Sequence, residues 1–193
     1  IRSSAELLLV EGQGRDIESA RDIMTSADRI EGWIRDLLSF ARLDRAQRTK
    51  VDAGEALKAC FASHVRGFTH RQIESAVTLD GPVAYVSAEP VLLGHVLHSI
   101  VANAIEATPP GGRVSGRISA AGKNVEIRIS DTGRGIPAEH LKQIFALFFT
   151  TKSQGMGMGM TLAYRITERF GGHIDVNSSP GSGTEFVVTL PAA

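Results

Sequence analysis

Residues 155–174 read Gly-Met-Gly-Met-Gly-Met-Thr-Leu-Ala-Tyr-Arg-Ile-Thr-Glu-Arg-Phe-Gly-Gly-His-Ile. Gly155, Gly157 and Gly159 alternate with Met156, Met158 and Met160, and a helical pattern containing Tyr164 and Ile166 follows at once. Glycine has no Cβ, so its backbone N–H lies open to a ligand. The first N–H groups of a helix also lack internal partners. Together they make a site for an anion. The spacing is neither the dinucleotide GxGxxG nor the GxxxxGK[ST] of the P-loop, which argues against both common nucleotide folds. A flexible hinge uses the same residues. The methionines either cover a flat ring or pack in the core.

Upstream lies Phe145-Ala146-Leu147-Phe148-Phe149-Thr150-Thr151-Lys152. An aromatic anchor here joins two hydroxyls and an ammonium, the groups a mobile lid needs to close over phosphates. Taken alone, Lys152 reads equally well as a solvated charge. Earlier still, Asp131-Thr132-Gly133-Arg134-Gly135-Ile136-Pro137 follows a strand pattern. A carboxylate at a strand end can accept from an exocyclic amine such as that of adenine, and alternating glycines let a flat ring approach the backbone. Ordinary turns carry DxGxG as well.

The segment from about Glu89 to Thr108 predicts a long helix, closed by Pro109-Pro110 and Gly111-Gly112. Leu93, Val96, Leu97, Ile100, Val101 and Ala104 form its apolar side. His95, Ser99, Asn103 and Glu106 recur at four, four and three residues and share a second face. The amide oxygen of Asn103 is a hard, neutral ligand suited to Mg²⁺; a solvent-facing polar stripe is the plainer alternative.

Around these segments, the spacing predicts a helix over about 54–70 with Leu57, Cys60, Phe61, His64, Val65 and Phe68 on one face. Cys60 on that face reads as a core residue rather than a nucleophile. Short strands are expected near 73–79, 83–86, 114–119, 125–130, 173–177 and 184–190. Strands and helices without regular βαβ alternation predict an α+β sandwich, one sheet with helices on one face. Residues 1–48 instead read as helices broken by Gly12 and Gly14. Ile23, Ala27, Ile30, Ile34, Leu37 and Ala41 follow the 4-3-4-3-4 rhythm of a bundle seam, widened by Trp33 and Phe40. An amphipathic helix packed on its own domain fits that rhythm equally.

A chain 42% hydrophobic with zero formal net charge is expected to be globular, without the basic excess of a nucleic-acid binder. No apolar run reaches membrane-spanning length. The single cysteine cannot form an internal disulfide, so a reducing, cytoplasmic setting is expected. The start at Ile1, within a helical pattern, suggests a fragment of a longer protein.

Taken in order, these segments resemble the boxes of the histidine-kinase ATP-binding domain, in the superfamily that includes gyrase, Hsp90 and the mismatch-repair ATPase MutL. His95–Ala107 resembles the asparagine box and 131–137 the first glycine box. Residues 144–152 are similar to the phenylalanine box and lid, 155–174 to the second glycine box, and 178–191 to the closing hairpin. The short lid looks closest to nitrogen-regulation and oxygen-sensing kinases.

The resemblance implies a two-layer α/β sandwich of the Bergerat type over 49–193. Before it, residues 1–48 would form an antiparallel helical hairpin that builds a dimeric four-helix bundle. It implies ATP and Mg²⁺ as ligands, with Asn103 holding the metal. Asp131 would read adenine with Gly133, Gly135 and Ile136, and with a water shared with Thr184. Thr150, Thr151 and Lys152 would lie in the lid. Gly155, Gly157 and Gly159 would meet phosphates, with Met156, Met158 and Met160 beside them. The implied activity is phosphoryl transfer from ATP to a histidine, then to an aspartate on a response-regulator receiver domain. That histidine should precede Ile1. Ser99 replaces the usual first asparagine, and Leu147 a usual proline. A non-catalytic nucleotide-binding scaffold, or a serine kinase or ATPase of the same superfamily, are the alternatives.

Overall fold

In this computed structural model the chain divides into two compact units, Ile1–Ala41 and Arg42–Ala193. The structure describes residues 47–152 and 156–193, together with 19, 20, 23, 26, 27, 30, 32, 34 and 38 of the first unit. Those nine residues are all helical. Ile23, Ile30, Ile34 and Leu38 among them are 41–53% exposed. The expectations for residues 1–12, Gly14, Trp33, Leu37, Phe40 and Ala41 lie outside the described residues.

The second unit begins with β1 (Thr49–Asp52), too short to announce itself by alternation. Asp52 ends it and caps helix α1 (Ala53–Ser63), its carboxylate accepting from Gly54 N at 2.8 Å and Glu55 N at 3.1 Å. The single helix expected over 54–70 is in fact two. His64, at φ −100° and ψ 6°, separates α1 from α2 (Val65–His70). Its N–H turns back to Phe61 O at 3.1 Å. That tight closure ends the helix and swings Val65 out to 58% exposure, off the buried face where the spacing had put it. Leu57, Cys60, Phe61 and Phe68 are buried as expected.

There follow β2 (Glu74–Asp80), β3 (Tyr85–Ala88) and α3 (Pro90–Ala107). Next come β4 (Arg113–Ala121), β5 (Asn124–Asp131), the single turn α4 (Ala138–Leu141), α5 (Gly159–Arg169), β6 (His173–Ser178) and β7 (Thr184–Pro191). Glu89 caps α3 through Val91 N and Leu92 N, and Pro90 occupies the first turn, where its missing N–H is harmless. Thr108, forced extended by Pro109, ends that helix.

Five strands form one sheet in the order β2-β4-β5-β7-β6, with only the β2–β4 pair parallel. β1 and β3 form a small antiparallel pair. Along β5, Val125, Ile127, Ile129 and Asp131 are buried, while Glu126, Arg128 and Ser130 alternate with them on the other face. Helices α1, α3 and α5 pack against the buried face. Leu57, Leu92, Leu97, Ile100, Ile127, Leu162 and Ile166 are all fully buried there. The outer face stays polar, with Arg128 paired to Glu126 at 2.6 Å and to Glu185 at 3.2 Å. This is the two-layer α+β arrangement the sequence predicts.

Candidate functional site

Helix α3 carries the first element of the site. Its apolar side faces the sheet, and Leu93, Val96, Leu97, Ile100, Val101 and Ala104 are all buried. The polar stripe is not solvent-facing along its length: His95 is 7% and Ser99 9% exposed. Helix α5 covers this stretch, and a Cβ on Gly159 would lie 3.5 Å from Ser99 Oγ. Only towards the C-terminus does the stripe emerge, with Asn103 half-buried and Glu106 exposed.

Asp131 sits at the last position of β5, 7% exposed. Burial raises its pKa above the ordinary 3.8, partly offset by N–H groups of Gly133 and Thr184 that bond the carboxylate. The Gly133 bond is 2.8 Å. The turn after it runs onto the end of α3. Arg134 N donates to Ala107 O at 3.2 Å, and a Cβ on Gly133 would come within 2.5 Å of that same oxygen. No side chain fits there. Asp131 and Asn103 therefore belong to the same end of α3.

The other side of the turn rests on the closing hairpin. Gly135 has φ +71°, and a Cβ would lie 2.0 Å from Ser179 O. Ile136 N donates to Ser178 Oγ at 2.8 Å; that hydroxyl donates to Gly183 O at 2.8 Å and lies 3.0 Å from Thr184 Oγ1. Thr184, 5% exposed, pairs with Asp131 across β5 and β7. Ser178 thus ties the turn to the hairpin. Nothing in the sequence marks it, because a serine opening a Ser-Ser-Pro-Gly turn looks like punctuation.

The segment expected to form the lid is anchored at two rings. Phe145 lies 5.0 Å from Tyr164 of α5, and Phe149 5.5 Å from His140. Between them Phe148 is turned outward, 62% exposed at φ +65°. Thr150 Oγ1 accepts from Lys152 N at 3.0 Å, which fixes a local turn, and Thr151 is exposed. Lys152 reaches back to α3, placing Nζ 2.7 Å from Asn103 Oδ1 and 2.6 Å from Glu106 Oε2.

Gly157 has φ +68°, and its Cα presses against the backbone of Phe148 and Phe149, where a Cβ would meet atoms at 2.5 Å. Met156, Met158 and Met160 are half-buried, and Met160 packs against the core. No side chain caps α5 at Met158, so its first N–H groups are not taken by a cap. Gly155 lies outside the described residues.

The donor set fits a nucleotide with its metal. A cationic group already lies between Asn103 and Glu106. The start of α5 has N–H groups that no cap takes, and a buried carboxylate lies at the end of β5.

A family model described as histidine kinase-, DNA gyrase B-, and HSP90-like ATPase matches residues 88–193. The sensor histidine kinase ZraS of Escherichia coli (strain K12) is 30% identical over 178 residues, which is 92% of this chain and 38% of the relative. The sensor protein FixL of Bradyrhizobium diazoefficiens is 30% identical over 181 residues, 92% of this chain and 36% of the relative. The chain therefore spans less than two fifths of the length of these relatives. Among solved structures, the catalytic domain of histidine kinase ThkA matches with TM-score 0.69 and 27% identity, over 75% of this chain and 95% of that one. Full-length ShkA in complex with AMPPNP matches with TM-score 0.80 and 25% identity, over 98% of this chain and 42% of that one.

Proposed function

This chain belongs to the histidine kinase-, DNA gyrase B- and HSP90-like ATPase family, and from that premise we propose that it is the ATP-binding catalytic part of a sensor histidine kinase in two-component signalling. One observation carries the reading: a buried carboxylate, Asp131, and an amide, Asn103, are joined at one end of α3 by a turn that admits only glycine at Gly133.

In this reading Asp131 accepts from the exocyclic amine of adenine. Burial makes that contact selective, because an amine-lacking base would take away one acceptor site's partner where water cannot replace it. Gly133, Gly135 and Ile136 shape the floor under the ring, and Thr184 shares the polar contact beside Asp131. Asn103 holds the divalent ion, which neutralises phosphate charge when bound. Gly155, Gly157 and Gly159 offer backbone N–H groups to the phosphates at the uncapped start of α5. Met156, Met158 and Met160 line the pocket. Thr150, Thr151 and Lys152 close over the phosphates from the lid.

The phosphoryl acceptor is a histidine on the dimerisation helices, and the helical unit pairs two copies of the chain. A response-regulator aspartate receives the phosphate next. The relatives' sensor functions support this placement in signalling.

Calorimetry with Mg-ATP tests the site. The wild-type chain should bind in the micromolar-to-millimolar range. Asp131→Asn should weaken binding about 10- to 100-fold, the worth of a hydrogen bond to a charged group. Unchanged affinity in that variant refutes the adenine contact and the assignment with it.

A further inference from the structure

Asn103 and Glu106 stand one helical turn apart, so their side chains converge on a single point. Lys152 Nζ occupies that point, 2.7 Å from the amide oxygen and 2.6 Å from the carboxylate. The end of α3 lies behind it. The dipole of the helix makes that end negative, and its last turn contains no basic residue of its own. Arg71 serves carbonyls at that end from elsewhere, at 3.3 Å from Glu106 O and 3.4 Å from Thr108 O. Lys152 therefore answers a carboxylate and an amide oxygen together. A carboxylate and an amide oxygen are also the hard donors a divalent cation selects.

Resting on the nucleotide reading above, we propose that Asn103 and Glu106 form a two-ligand cation cradle, that Lys152 fills it, and that lysine and divalent ion exclude each other there. Exclusion follows from charge, because an ammonium and a divalent cation sharing two ligands repel strongly in a half-buried place. Exchange remains feasible because the pair is only partly buried, with side chains 31% and 47% exposed. Glu106 thus becomes a second protein ligand, which the family resemblance does not supply. Metal loading and release of Lys152 become one event: an ion entering the cradle would detach Lys152 from α3 and free it for the phosphates.

The test uses Mn²⁺ without nucleotide, titrated into the whole chain while free ion is read by electron paramagnetic resonance. Wild type is compared with Lys152→Met, Glu106→Gln and the double variant, each checked for folding by circular dichroism. Lys152→Met should bind Mn²⁺ about tenfold tighter than wild type, the combined worth of one ion pair and one charged hydrogen bond. Glu106→Gln should bind more weakly, and the double variant should show no gain over Glu106→Gln.

Equal affinity in wild type and Lys152→Met overturns the cradle. A gain of the same size in the Glu106→Gln background also overturns it, since that marks a long-range field and not shared ligands. Parallel titrations with AMPPNP keep the two readings apart. Nucleotide binding without any lysine effect on Mn²⁺ sinks the cradle alone. Failure of every form to bind nucleotide sinks the nucleotide reading, and the cradle with it.

Discussion

Burial makes the charged form of Asp131 unfavourable to the fold. Its carboxyl pKa is raised, mainly by burial, so the folded chain holds that proton more tightly than the unfolded one. Stability contributed by this group then falls as pH rises through the window from the ordinary 3.8 up to the raised value, and the full cost is present above it. Asp131→Asn keeps an oxygen that can accept from Gly133 N but carries no charge. Above that window the variant should melt at the same temperature as wild type or higher, while binding Mg-ATP poorly. Thermal unfolding scans between pH 4 and 8 check this; a variant that melts well below wild type at neutral pH would mean that the carboxylate stabilises the fold. Burial acts on Cys60 in the same direction. Desolvation pushes its thiol up to about 12, so almost no thiolate exists near neutral pH. Thiol reagents at pH 8 should modify the folded chain only at the rate at which it opens, and addition of denaturant should raise that rate steeply.

At the scale of elements, patterning and function are written in different letters. The apolar side of α3 was legible because six residues, Leu93 to Ala104, recur at helical spacing and all six are buried. Both glycine turns were legible because Gly133, Gly135, Gly157 and Gly159 leave no other reason for so many missing side chains. The break at His64 was not legible: nothing at that position forbids a helix, and its N–H turning to Phe61 O and its ring nitrogen lying 2.9 Å from Cys60 O are details that residue spacing does not carry. Nor was the depth of His95 and Ser99, which depends on α5 arriving from 60 residues further along the chain. The role of Ser178 as the tie between two turns is a tertiary fact of the same kind. Gly157 is where the element scale can be tested. Its left-handed φ and its contact with the Phe148 and Phe149 backbone mean that Gly157→Ala must displace the lid entry. A strained non-glycine residue of this sort costs roughly 1–3 kcal/mol. Most of that loss should appear as weaker Mg-ATP binding with little change in melting temperature, because the displaced segment lies outside the main core. Equal calorimetric affinities for Gly157→Ala and wild type would show that the lid does not need this glycine.

At the scale of the whole molecule, the described residues of the first unit include large aliphatic side chains at bundle spacing. Ile23, Ile30 and Ile34 fall on a 7-4 spacing that Ala27 completes to 4-3-4, and the three isoleucines are 41–53% exposed. Large aliphatic side chains at that spacing stay soluble when a second helix pair covers them, as in a bundle built by two copies. Burying each such side chain contributes about 1.5–3 kcal/mol. Placing charges at the centre of the seam should therefore abolish pairing. Ile30→Asp combined with Ile34→Asp is expected to move the particle from a dimer to a monomer of 20.6 kDa in light scattering. Mg-ATP affinity should hardly change, because every residue assigned to the nucleotide belongs to the second unit. Phosphotransfer gives the complementary measurement. Wild-type chain mixed with a dimerisation domain carrying the acceptor histidine should yield phosphohistidine from labelled ATP, whereas the charged-seam variant should bind nucleotide yet label the acceptor far more slowly. A charged-seam chain that stays dimeric would place the pairing surface elsewhere. One that becomes monomeric but labels at the wild-type rate would mean that the acceptor is reached without the helices.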